Sequence, residues 1–127
     1  MDIKTRKREA HDFGLEGEKL AAEEYMRRGY TVLEKRWRLG KTEIDLITQK
    51  DDVVVISEVK SRKTSEEDAV ASVTKDKRKR MARAADYYIR RLPGDYSYRF
   101  DIVACYKEDD IIKIEIFEDA FLATDLF

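Results

Sequence analysis

The spacing of hydrophobic positions changes several times along the chain, and each change predicts an element. From Asp12 to Arg28, residues Leu15, Ala21, Ala22, Tyr25 and Met26 fall on one stripe at about 100° per residue, the pattern of an amphipathic helix. Asp12 is its expected N-cap and Gly29 its expected stop. Strand-like runs follow at Tyr30 to Trp37, Glu43 to Gln49 and Val53 to Lys60, the last rich in β-branched residues. Lys50-Asp51-Asp52 is short and polar, so the second and third runs form a hairpin. Thr64 to Ala71 is polar and reads as a loop or a short helix. Met81, Ala84, Ala85, Tyr88 and Leu92 recur at intervals of three and four, which predicts a second long helix from Thr74 to Leu92. Strands are expected at Tyr98 to Tyr106 and Asp110 to Phe117, with Ala120-Phe121-Leu122 packing back on the body. Pro93-Gly94 marks a turn rather than a linker. The order α-β-β-β-α-β-β predicts an α/β fold, a mixed β-sheet with flanking helices.

Length and charge narrow this picture. The 127 residues suit one domain built on one core, with residues 1–11 expected as a flexible basic N-terminus. No run approaches the roughly 18 apolar residues of a membrane span, and no apolar stretch follows the basic Met1 to Glu9 as in a secretory signal. The sole cysteine, Cys105, has no internal partner and sits in an apolar run, so it reads as a buried thiol of a cytoplasmic protein. The net charge of −1 conceals an asymmetry: acidic residues crowd the stretch from Glu108 to Phe127. Basic residues gather at Lys4, Arg6, Lys7 and Arg8, and again from Lys75 through Lys77, Arg78, Lys79 and Arg80 to Arg83. Such clusters are either solvated helix faces or patches that attract phosphate.

The predicted hairpin carries the chemistry. A two-residue turn at Asp51-Asp52 pairs Lys50 with Val53, and by the same register Asp45 with Glu58. Directly opposed side chains have Cβ atoms about 4.5 to 5.5 Å apart, a separation suited to two carboxylates sharing a divalent cation. Without a cation the pair is unfavourable, because like charges repel and one carboxyl tends to keep its proton. Mg²⁺ or Mn²⁺ takes hard oxygen ligands and reverses that problem. Lys60 shares a strand face with Glu58, where a lysine can orient water or hold a phosphate as the ammonium, or take a proton as the neutral amine. The competing reading is a solvent-facing sheet with ordinary Lys–Glu pairs. Glu18 falls near the middle of the first helical stripe, so it either meets that site or pairs with an arginine.

Other chemistries find little support. His11 is the only histidine, so multi-histidine zinc sites are excluded. There is no Walker-type glycine loop, and Gly14 and Gly17 lie within a helical pattern where close packing is the expected role. Trp37, Tyr87 and Tyr88 are expected to pack rather than stack on bases. Asp101, on a later strand, either supports the sheet near the site or is structural.

Several stretches taken in order resemble the YraN-like family of bacterial proteins, within the PD-(D/E)XK nuclease superfamily. They are Gly14-Leu15-Glu16-Gly17-Glu18, Gly29-Tyr30-Thr31-Val32-Leu33, Glu43-Ile44-Asp45-Leu46-Ile47, Ser57-Glu58-Val59-Lys60-Ser61-Arg62, Arg99-Phe100-Asp101-Ile102-Val103 and Asp119-Ala120-Phe121. The resemblance implies a restriction-endonuclease-like core of α-β-β-β-α-β order. It implies metal ligation by Asp45 and Glu58, with Lys60 as the third signature residue and Glu18 matching the helix glutamate of the Holliday junction resolvase branch. Thr42 stands where the family has glycine, and Ile44 where the superfamily has proline. The leading expectation is a Mg²⁺- or Mn²⁺-dependent nuclease acting on nucleic acid, DNA first and branched DNA in particular. Lys75, Arg78, Lys79 and Arg62 would hold the backbone. No membrane partner is expected, and a homodimer would suit a symmetric junction. The rivals are a nucleic-acid-binding module without turnover and a structural or partner-binding protein that docks through its acidic tail.

Overall fold

The computed structural model describes residues 2–62 and 68–127, so residues 64–67 of the expected loop lie outside the described residues. β1 (Thr31–Leu39), β2 (Thr42–Lys50) and β3 (Val53–Arg62) form an antiparallel meander. β4 (Ser97–Glu108) lies parallel beside β3, and β5 (Ile111–Phe121) lies antiparallel beside β4. The mixed sheet therefore runs β1-β2-β3-β4-β5 in space as well as in sequence. A parallel pair needs a crossover, and α2 (Ala69–Ser72) with α3 (Lys75–Ile89) lies in the connection between β3 and β4.

The strands bury both faces. Leu46, Val55 and Val103 pack against Ala21, Ala22 and Tyr25 of the first helix, α1 (Ile3–Arg27). On the opposite face Val54, Ile56, Phe100 and Ile102 pack against Met81, Ala84 and Ala85 of α3. Continuous apolar runs in β3 and β4 are what a strand covered on both sides requires. Phe121 returns to the body as expected, stacked on Phe100 with ring centroids 4.6 Å apart.

α1 departs from its expected bounds. It begins at Ile3, capped by the Asp2 carboxylate, which accepts a hydrogen bond from the Thr5 N–H at 2.7 Å. Asp12 lies inside the helix, and residues 3–11, expected as a flexible basic terminus, are helical turns. These residues carry no apolar stripe, so periodicity gave no signal; their lysines, arginines and alanine are strong helix formers all the same. The buried stripe is also rotated. Leu15 and Met26 are 37% and 48% exposed, while Gly17, Ala21, Ala22 and Tyr25 are buried. Gly17 explains the rotation, since a Cβ there would sit 2.5 Å from the Cys105 Sγ. Gly14 has open space around it, so close packing does not account for that glycine. Gly29 ends the helix at φ 94°, a conformation that favours glycine. Among the described residues no helix is long and apolar enough to cross a membrane.

Candidate functional site

The β2–β3 hairpin has the expected turn: Lys50 pairs with Val53 across Asp51-Asp52, with Asp51 at φ 54°. Pairing continues in register to Leu46 and Ser57 and is not continued to Asp45 and Glu58. On the other side of β2, pairing with β1 passes from Lys35–Leu46 to Trp37–Ile44 and skips Arg36 and Asp45. Arg36 occupies the left-handed region at φ 51°, a cost that a non-glycine residue bears only where its surroundings impose it. Strict alternation would set Ile44 and Ile47 on opposite faces, yet both pack with the α3 core. The pleat thus breaks at Asp45. The register expected from the turn, with Asp45 paired directly opposite Glu58, therefore stops one pair short of those two residues.

The break leaves Asp45 beside a free length of β3 backbone, and its Oδ2 accepts the Val59 N–H at 2.8 Å. Glu58 is buried, at 7% exposure. Its Oε1 lies 3.7 Å from Lys60 Nζ, and its Oε2 lies 3.7 Å from Lys77 Nζ of α3. Both separations are too long for hydrogen bonds. Glu58 Oε2 is buried without a hydrogen-bond partner, and the only other such side-chain atom among the described residues is the uncharged Thr48 hydroxyl. Burial, followed by the nearby Glu58 charge, pushes the Asp45 carboxyl up to about 7, against the pull of the Val59 N–H. Burial also raises Glu58, opposed by Lys77 and Lys60.

Glu18 comes near enough for its charge to disfavour ionisation of Asp45. Its own carboxylate is engaged elsewhere, since Oε2 accepts Arg36 Nε at 2.8 Å. Among the described residues, no three His, Cys, Asp or Glu side chains come together as a metal cluster. A divalent cation must therefore be tested against the Asp45–Glu58 pair alone. The fit is chemically sound: two hard oxygen donors, one buried charged atom lacking a hydrogen bond, and a mutual repulsion that a cation would relieve.

Residues 17–105 match the uncharacterised protein family UPF0102. A UPF0102 protein of Flavobacterium psychrophilum is 40% identical over 114 residues, covering 89% of this chain and 96% of that protein. Those of Phocaeicola vulgatus and Parabacteroides distasonis are 35% and 38% identical over 117 residues, covering 89% of this chain and 94% of each relative. The chain belongs to the UPF0102 family. This agrees with the YraN-like resemblance of its motifs.

Two residues of this candidate site escaped the sequence pattern, although each had left a signal. Lys77 lies four residues before Met81, on the stripe of α3 that faces the sheet. A lysine there needed a buried partner, and it holds Glu58 and donates to the Glu43 carbonyl at 3.3 Å. Arg36 faces Asp45 in the register set by Leu39–Thr42 across the Gly40-Lys41 turn.

The expected backbone-holding residues separate. Lys75 is exposed and Lys79 half-buried on α3. Arg78 turns inward instead: its Nε donates to the Val73 carbonyl at 2.9 Å and its Nη2 to the Val70 carbonyl at 2.6 Å, tying α2 to α3. Arg62 lies at the end of β3, two residues beyond Lys60. Trp37 packs edge-on against Tyr88 at 5.1 Å, as expected of a packing residue. His11 is exposed, and Cys105 is a buried free thiol that burial pushes up to about 11.

Asp101 lies apart from this site. It is fully buried on the α1 side, accepting hydrogen bonds from Tyr25 Oη at 2.7 Å, Arg99 Nε at 2.9 Å and the Asp119 N–H at 3.0 Å. Its role is to tie α1, β4 and β5 together.

Proposed function

We propose that this UPF0102 protein is a divalent-metal-dependent nuclease that hydrolyses nucleic-acid phosphodiesters, with DNA as its substrate. One observation carries the reading. Two carboxylates meet where β2 and β3 part, one of their buried oxygens lacks a hydrogen bond, and two lysines flank the second carboxylate. A structural ion pair would be expected to satisfy its buried atoms. The α-β-β-β-α-β order also supports the reading, since it is the order expected from the restriction-endonuclease-like resemblance, in which Asp45, Glu58 and Lys60 would be the signature residues.

In this reading Asp45 and Glu58 hold Mg²⁺ or Mn²⁺, which supplies Lewis acidity toward water and the scissile phosphate. The chain's own groups do the rest. Lys60 orients the attacking water, because its ammonium stands at Glu58 Oε1, or as the deprotonated amine accepts that water's proton. Lys77, at Oε2, offers a second cation to the phosphate oxygens. Arg36 fixes Glu18, which in turn keeps a negative charge beside Asp45. The basic first turns of α3 lie at the positive end of that helix. The placement costs stability unless an anion is present, and it suits capture of the backbone.

A second reading has one observation in its favour. Lys60 and Lys77 already neutralise Glu58 in part, so the site can persist without metal in a protein that only binds nucleic acid. Incubating linear, flapped and four-way-junction DNA with Mn²⁺ separates the two. Cleavage by the wild type, lost in both Asp45→Ala and Lys60→Ala, is expected for a nuclease. Cleavage surviving in both variants removes the site, and salt-dependent binding without cleavage leaves the binding module.

A further inference from the structure

Lys77 is a cation that the hairpin site receives from a different element. It lies in the first turn of α3, and its N–H is capped by the Thr74 hydroxyl at 3.2 Å. The first turn is the positive end of a helix, so a cation there costs stability. The side chain nevertheless turns inward to the break between β2 and β3. Its Nζ donates to the Glu43 carbonyl at 3.3 Å, two residues before Asp45, and stands 3.7 Å from Glu58 Oε2.

The lengths set this contact apart from structural ion pairs of the same molecule. Arg36 meets Glu18 at 2.8 Å and Arg99 meets Asp101 at 2.9 Å, both hydrogen-bond distances. Lys77 stays beyond that range, and the Glu58 oxygen it faces is buried without a hydrogen bond. Lys77 therefore supplies charge without closing on its partner. That charge reaches both acids, favouring the ionised form of Glu58 and of Asp45. A cation felt by both carboxylates does part of what a divalent metal would do there. The Lys77 side chain also keeps 23% exposure, and a flexible lysine stem can turn outward without moving its helix.

We infer that Lys77 is the counter-ion of the unloaded site, opposing entry of a divalent cation until a substrate phosphate draws its ammonium off Glu58. The inference rests on the nuclease reading for the metal and the phosphate, and it adds an order of events to that reading. Single and double positive charges about 6 Å apart repel enough, even at the dielectric of water, to weaken metal binding roughly tenfold. A phosphate that takes Lys77 away removes that repulsion. By linkage, the metal tightens phosphate binding by the same factor. The protein alone is then a weak metal binder, and metal and nucleic acid load together.

Two binding measurements test this apart from cleavage. In the first, Mn²⁺ is titrated into the protein alone at pH 8, and free Mn²⁺ is read from its paramagnetic resonance signal. Lys77→Gln is expected to bind Mn²⁺ about tenfold more tightly than the wild type. Misfolding would lower affinity, so a gain also shows that the variant folds. Lys77→Arg keeps the charge and should stay within about threefold of wild type. Arg80→Gln, which removes an exposed charge from the same helix, should do the same. The second measurement is the anisotropy of a phosphorothioate DNA duplex, which keeps its charge and resists hydrolysis, in EDTA and in Mn²⁺. Mn²⁺ should tighten DNA binding by the wild type at least about threefold more than by Lys77→Gln. No gain of Mn²⁺ affinity in Lys77→Gln, an equal gain in Lys77→Arg, or the same Mn²⁺ effect on DNA binding in both proteins overturns the inference. Failure of the nuclease reading looks different. Both expected results without Mn²⁺-dependent cleavage of ordinary DNA remove the nuclease and retain the counter-ion; cleavage by a wild type whose Mn²⁺ affinity Lys77→Gln leaves unaltered does the reverse.

Discussion

Asp101 and Asp45 are both aspartates on central strands, and their surroundings differ in kind. Asp101 has no exposure and accepts hydrogen bonds from a tyrosine, an arginine and a backbone N–H. Tyr25, which donates to it, also bonds Ser57 Oγ at 2.9 Å, and Arg99 reaches on to Tyr30 at 2.9 Å. Every polar group in that network has somewhere to go, so the charge holds the fold together. Asp45 has one backbone N–H and a neighbouring carboxylate that repels it. Its pair is an arrangement that folding tolerates rather than one that folding exploits. The lesson is that burial of an acid says little by itself; the count of its donors separates a structural carboxylate from one held ready for a ligand.

The contrast breaks if the two aspartates respond alike to removal. The largest effect is expected at Asp101. Asp101→Ala removes the carboxylate that Arg99 and the Tyr25 hydroxyl share, leaving Tyr25 with Ser57 and Arg99 with Tyr30 and Glu118, and should lower the unfolding free energy by about 3 kcal/mol. Urea denaturation measures it, and a loss below about 1 kcal/mol would show that the network is not a structural tie.

A middle-sized effect sits on α1, which brings Tyr25 to one site and Glu18 to the other. Gly17→Ala places a Cβ 2.5 Å from Cys105 Sγ and should cost about 1–3 kcal/mol through overpacking. Adding Cys105→Ala should restore most of it. Failure of that double variant to recover would mean that backbone effects, and not the contact with Cys105, govern the position.

The smallest effect has the opposite sign. The folded Asp45 carboxyl is raised to about 7 from its ordinary 3.8, so the folded chain binds the proton more tightly than the unfolded chain. Stability from this group is full below about pH 4 and falls as pH rises through 7. Asp45→Asn removes that loss. In EDTA at pH 8 it should raise Tm by about 4 °C, and by less at pH 5. Thermal melts at the two pH values decide it, and a variant less stable than wild type at pH 8 would make Asp45 a structural residue like Asp101.

The sequence carried much of this site in local form. A short polar turn set the register of the β2–β3 hairpin, and the strand alternation put Glu58 and Lys60 on one face. Lys77 and Arg36 were missed, although Lys77 lies four residues before Met81 on the stripe of α3 and Arg36 falls opposite Asp45 in the register that the Gly40-Lys41 turn sets. The first turns of α1 were hidden, since a helix that meets the sheet over only part of its length has no apolar period outside that part. The kink at Asp45 was hidden for a different reason. An alternating pattern does not reveal where a strand stops alternating, and Ile44 is apolar whichever face it takes.

Taken alone, the sequence determined the elements, the hairpin register and the acids and lysine that the motifs bring into range of one another. These depend on periodicity and turn length, which act between near neighbours in the chain. Tertiary structure decided which groups those acids meet. Only the packing of α1 and α3 on opposite faces gave Glu18 to Arg36, Lys77 to Glu58 and Tyr25 to Asp101. A buried charge is governed by its donors, and those donors come from elements distant in sequence, so the difference between Asp45 and Asp101 exists only in the folded chain.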